Sequence, residues 1–145
     1  MGVLFPITCR NKDCKYNTTL YFGPGMMGFV RIRRLQESIM SGETEVSDEI
    51  MDLLNNGHSI SSVHPHICNT CHEYVCVDTP FIFEVISASP YGTIREYKVH
   101  YVFDTPYCPK CNSKLEFILN PKSSKSKCPQ CGSDNMKVGG IGYRD

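Results

Sequence analysis

The sequence predicts a small α+β fold, an antiparallel β meander interrupted by a two-helix insertion, and three observations lead there. Eight of the nine cysteines fall in four close pairs, Cys9/Cys14, Cys68/Cys71, Cys108/Cys111 and Cys128/Cys131. From Tyr74 to Phe103, short runs rich in β-branched and aromatic residues are broken by Asp78-Thr79-Pro80 and Ser89-Pro90-Tyr91-Gly92, the punctuation of strands joined by turns. Between the first two cysteine pairs, apolar residues instead recur at helical spacing. A chain of 145 residues makes one domain or two very small ones.

The elements follow in order. Thr18 to Phe22 has strand composition. The glycine-rich turn Gly23-Pro24-Gly25-Met26-Met27-Gly28 then breaks the pattern. From Val30 to Met40, Ile32, Leu35 and Ile39 share one helical face, and Gly42 ends the run. Ser47 is a good N-cap for a second helix: Asp48 and Glu49 suit its first turn, Ile50, Leu53 and Leu54 form its face, and Gly57 can end it. The insertion therefore covers about residues 30–57. Strands are expected at Tyr74 to Val77, Phe81 to Ser87 and Thr93 to Phe103. In the last of these Tyr97, Val99, Tyr101 and Phe103 alternate with polar residues, so they are expected to face the core together. A strand from Lys114 to Leu119 and a basic connector from Pro121 to Lys127 lie between the last two cysteine pairs.

Two thiolates two residues apart on a tight turn supply half of a tetrahedral metal site, and zinc takes four such ligands. Cys108-Pro-Lys-Cys111, Cys128-Pro-Gln-Cys131 and Cys68-Asn-Thr-Cys71 have that spacing, whereas Cys9 and Cys14 stand further apart. Two four-thiolate sites, each holding one zinc ion, are the expected result, and iron would also accept four cysteines. Such complete sets leave no open coordination position, so the metal is expected to be architectural, bracing a core too small to stand alone.

The segments Tyr107-Cys-Pro-Lys-Cys111 and Lys127-Cys-Pro-Gln-Cys-Gly132 resemble the rubredoxin-like knuckles of the zinc-ribbon superfamily, over about residues 106–138. Four pairs can be joined in three ways. Loop closure favours neighbours, and the resemblance implies a C-terminal ribbon closed by Cys108, Cys111, Cys128 and Cys131. Cys9, Cys14, Cys68 and Cys71 would then close an enlarged ribbon-like site. On this reading residues 1–105 form a zinc-binding β-rich domain and residues 106–145 a zinc ribbon. Cys76 lies outside the pairs and reads as a buried apolar thiol on a strand. His66 and His72 flank the second pair closely enough to replace a cysteine, though complete quartets leave no need for them.

The function classes narrow from the same residues. The first ten residues have no cationic segment followed by an apolar one, and no apolar run approaches the about 20 residues of a membrane span. Closely paired thiols suit a reducing compartment, so a cytoplasmic location is expected. Formal charge is zero and would fall to about −4 with eight thiolates and two divalent ions bound, which does not favour nonspecific attachment to nucleic acid. Gly23-x-Gly25-x-x-Gly28 has the local setting of a dinucleotide-binding turn, but a second helix follows the first, so no parallel βαβ unit completes. His72-Glu73 does not match the zinc-deaminase motif, and no nucleophile elbow or His-Glu-x-x-His helix is present. The expectation is a non-enzymatic adaptor or regulatory module that binds a protein partner, with Met26, Met27, Arg31, Arg33 and Arg34 as candidate contacts. Two alternatives accompany it: nucleic-acid binding through Lys122, Lys125 and Lys127, aided by neighbouring serines, and thiol redox sensing.

Overall fold

A computed structural model describes residues 2–90, 94–119, 127–140 and 142–144. In chain order the elements are β1 (Gly2–Cys9), β2 (Asn17–Phe22), α1 (Met26–Ser41), α2 (Asp48–Asn55), β3 (Ser59–Ser61), β4 (His64–Ile67), β5 (Tyr74–Val77), β6 (Phe81–Ala88), β7 (Ile94–Val102), β8 (Glu116–Phe117), β9 (Met136–Val138) and β10 (Gly142–Arg144). They make a small α+β fold of antiparallel sheets, as expected.

In the first sheet β1 pairs with β2 on one edge and with β9 and β10 on the other. The second edge is discontinuous: β10 covers Gly2 to Leu4 and β9 covers Ile7 to Cys9. Pro6 sits in the gap and has no N–H to donate. Its carbonyl instead accepts from Gly139 N–H at 2.7 Å. A Cβ on Gly139 would lie 2.7 Å from Pro6 Cγ, so glycine permits this approach.

The second sheet has the order β3-β6-β7 and the third β5-β4-β8. Sheets cross the expected boundary near residue 105, since β9 and β10 pair with β1, and β8 pairs with β4. Helix α1 begins four residues earlier than its apolar spacing indicated. Gly25 is its extended N-cap, without a side-chain capping bond. A Cβ on Gly28 would stand 2.6 Å from Pro24 Cβ, so its glycine lets the entering chain lie against the first turn. Gly42, at φ 84°, closes the helix by donating to Ile39 O at 3.2 Å. Ser47 caps α2 as expected, accepting from Ile50 N–H at 3.5 Å.

Ile32 and Ile39 of α1, Ile50 and Leu54 of α2, Ile60 of β3 and Ile82 of β6 make the apolar cluster under the helices. Burying each such side chain contributes roughly 1.5–3 kcal/mol. Tyr101 and Phe103 pack against this cluster, but Tyr97 and Val99 do not join them. Ile82 pairs with Tyr101 and Phe83 with Val99, so His100 is an extra residue in β7. This β-bulge corrects the expectation of one continuous stripe, because one added residue moves the alternation to the other face. Tyr97 and Val99 stand with Phe83, and Tyr97 meets that ring at 6.0 Å.

Candidate metal centres

Three of the four cysteine pairs share one backbone design. The N–H groups of Cys68, Cys108 and Cys128 donate to the carbonyls five residues on, Glu73, Ser113 and Ser133, at 2.9, 2.8 and 2.8 Å. Their own carbonyls accept from His72, Asn112 and Gly132 N–H at 2.8, 2.8 and 2.9 Å. Closing so tight a turn needs left-handed backbone at the fourth residue after the first cysteine, and His72, Asn112 and Gly132 have φ of 63°, 60° and 73°. Cys9 and Cys14 use a wider turn, in which Cys9 N–H donates to Tyr16 O and Cys14 N–H to Asn11 O, both at 3.0 Å.

These turns converge in two quartets: Cys9, Cys14, Cys128 and Cys131, and Cys68, Cys71, Cys108 and Cys111. The pairing is nested, first pair with fourth and second with third. It corrects the expectation that neighbours share a site, and residues 106–138 do not close a four-cysteine set among themselves. The cause lies in the sheets. Pairing of Cys9 with Met136 in the β1–β9 ladder brings the fourth turn beside the first. Pairing of Ile67 with Glu116 in the β4–β8 ladder brings the third beside the second.

In the outer quartet, Cys9 and Cys131 sulfurs are 3.6 Å apart and Cys14 and Cys128 sulfurs 3.7 Å. In the inner one, Cys68 and Cys111 are 3.3 Å apart and Cys71 and Cys108 3.6 Å. Four sulfurs at about 2.3 Å from one ion would be about 3.8 Å from each other, whereas a disulfide needs about 2.0 Å. All nine cysteines are free thiols. The two sets have the donors and spacing for a tetrahedral ion each, an arrangement consistent with zinc.

The electrostatics agree. The Ser113 hydroxyl, 3.4 Å from Cys111 Sγ, and the Ser113 amide hold the Cys111 thiol down at about 6. The Ser133 amide holds Cys131 at about 7. Cys9 and Cys71 go the other way, to about 12: the Asn11 and Glu73 amides favour their thiolates, but burial and the facing sulfurs outweigh them. Four thiolates this close cannot ionise together unless a cation lies among them. Asn11 Nδ2 also donates to Cys131 Sγ at 3.7 Å, and Cys71 N–H to Cys68 Sγ at 3.5 Å. Lys110, inside the third turn, holds Glu73, just beyond the second, at 2.8 Å. Two braced four-cysteine clusters are therefore the chemical feature that defines this chain.

No protein-family model, curated protein or solved structure matches it.

The other sequence candidates sit elsewhere. His66 and His72 belong to neither quartet. His72 fills the left-handed position that Gly132 takes in the fourth turn. His66 is buried, donates from Nδ1 to His64 O at 2.8 Å, and leaves Nε2 without a hydrogen-bond partner among the described residues. Cys76, half-buried, accepts from Tyr21 N–H at 3.2 Å. Met26 and Met27 are exposed at the start of α1. Arg31 pairs with Asp78 at 2.5 Å, Arg33 with Glu37 at 3.0 Å, and Arg34 is exposed on the same helix. Lys127 is exposed, while Lys122 and Lys125 lie outside the described residues. No helix among those residues is long and apolar enough to cross a membrane.

Sequence reasoning missed the aromatic site around His64. That ring lies between Phe22, Phe81 and Phe117, at centroid distances of 5.0, 5.3 and 4.6 Å. Its Nδ1 donates to Pro65 O at 2.8 Å, so Nε2 accepts from the Tyr97 hydroxyl. Alternation within His64-Pro65-His66 was the available signal, but a histidine in a four-residue strand does not announce its burial.

Proposed function

We propose that this chain is a non-enzymatic, zinc-stabilised adaptor of the cytoplasm, whose two metal sites hold a rigid scaffold and whose α1 entrance docks a protein partner. One observation carries the reading: Met26, Met27 and Phe29, in the first turn of α1, are 66%, 81% and 55% exposed. Large apolar side chains concentrated at one end of a helix favour a partner, and methionines adapt to irregular partner surfaces. Arg34 and the Arg31–Asp78 pair would give that patch a polar rim.

The test is affinity purification from the source cells with wild type and a Met27→Glu, Phe29→Glu double variant, with and without nuclease. The adaptor reading requires a stoichiometric protein partner that survives nuclease and is lost in the variant, with both metal ions retained. Salt-sensitive nucleic-acid binding that disappears when Lys122, Lys125 and Lys127 become alanine would replace it with the nucleic-acid reading.

Redox sensing has an observation of its own: Cys111 and Cys131 are the exposed members of their quartets. Zinc release by mild peroxide would support it, and unchanged metal content would remove it.

A further inference from the structure

The β7 bulge does more than divide an apolar stripe. It brings His100 onto the face of the β3-β6-β7 sheet that carries Glu84. His58 reaches the same place from α2. Gly57, at φ 85°, turns the chain out of the helix, and His58 N–H donates to Leu53 O at 3.2 Å. Because Ser59 pairs with Phe83, the next position back along β3 places His58 across from Glu84. Three residues far apart in sequence thus stand side by side across three neighbouring strands.

We propose that His58, Glu84 and His100 form a third metal site, for a divalent transition ion held by two imidazoles and one carboxylate. One ligand atom from each lies within 4.8 Å of the others. His100 Nε2 is 2.8 Å from Glu84 Oε2, and the two imidazole rings stack with centroids 4.5 Å apart and planes 11° from parallel. Small rotations of these side chains would draw the three atoms around an ion at about 2.0–2.2 Å.

The donor set differs in kind from the cysteine quartets. Nitrogen and oxygen ligands suit zinc, cobalt, nickel or ferrous iron, and three protein ligands leave positions open for water or a group from outside. Access is available, since the side chains of His100 and Glu84 are 21% and 41% exposed. Lys98, across from Glu84 in the β6–β7 register, is the opposing charge the ion must displace or tolerate. The assignment does not depend on the adaptor reading.

The experiment titrates Co2+ into full-length protein whose quartets are already filled with zinc. A third equivalent is expected, with a visible spectrum lacking thiolate-to-cobalt charge transfer. Even partners beyond the ligands typically cost 10–100-fold in metal affinity when removed, so Glu84→Gln, His58→Gln and His100→Ala should each weaken the third ion by more than about tenfold. All three variants should retain two zinc ions, which reports an intact scaffold. Should His100→Ala lose that zinc, Glu84→Gln and His58→Gln decide the matter, as both keep polar side chains at partly exposed positions. The absence of a third equivalent in the wild type, or a third equivalent unmoved by Glu84→Gln, overturns the site.

Discussion

The sulfur atoms of Cys9 and Cys131 lie 3.6 Å apart although 122 positions separate them in sequence. Nested pairing makes this contact a consequence of the β1–β9 ladder, and it is directly testable by metal counting. Cys9→Ser with Cys128→Ser damages one quartet and should leave one bound zinc ion. Cys9→Ser with Cys108→Ser damages both and should leave none. Pairing of neighbours would give losses of both ions for each of these variants, and Cys108→Ser with Cys128→Ser would then spare one. Mass spectrometry under native conditions distinguishes the patterns.

His72 tests the architecture of the turns. A left-handed conformation costs a residue with a Cβ roughly 1–2 kcal/mol, whereas glycine adopts it freely. His72→Gly should therefore hold two zinc ions and be as stable as the wild type or up to about 1 kcal/mol more so, by chemical denaturation in excess zinc. Loss of one ion would make His72 a ligand instead.

Burial among aromatic rings, opposed by the bond to Pro65 O and reinforced by the nearby His66, holds the His64 imidazole down at about 3. The unfolded chain takes up its proton near 6.5, so it binds more protons than the folded chain across the interval below. Stability from this group is complete above about pH 6.5 and declines as the pH falls towards 3, by about 1.4 kcal/mol per unit. His64→Gln keeps an acceptor for the Tyr97 hydroxyl and does not titrate. The stability difference between wild type and this variant should shrink at that rate below pH 6.5, while loss of thiolate–zinc bonds affects both proteins alike. A difference independent of pH would contradict the assignment.

Gly28→Ala opposes two effects. Alanine is favoured over glycine in a helix by about 1 kcal/mol, but here its Cβ would lie 2.6 Å from Pro24 Cβ, on a ring that cannot turn away. The clash should win, with a net loss of about 1–3 kcal/mol. Gly140→Ala, where an added Cβ meets nothing within 4 Å, should change stability by less than about 0.5 kcal/mol. Thermal denaturation of the pair provides the check.

The parts of the fold set by local chemistry were legible beforehand. Ser47 with Asp48 and Glu49 marked α2, Gly42 marked the end of α1, and the three Cys-x-x-Cys turns were recognisable as half-sites. The start of α1 was not, because Gly25 has no side chain with which to advertise a cap and its fit depends on Pro24 meeting Gly28. The His100 bulge carries no glycine or proline that would reveal it. Nor was the pairing of the quartets visible. Closing a loop twice as long costs only about 0.6 kcal/mol more, a preference easily reversed by the β1–β9 and β4–β8 ladders and by burying Ile7, Leu20 and Ile118 between the sheets.

The nested sites also set a timetable for a chain emerging from the ribosome. The inner site has all its ligands once Cys111 is available, whereas Cys9 and Cys14, made before any of them, must wait for Cys128 and Cys131. The outer ion is then a latch that closes only after every ligand of the inner site has been made, and a chain abandoned between the two events leaves Cys9 and Cys14 exposed as a mark of incompleteness.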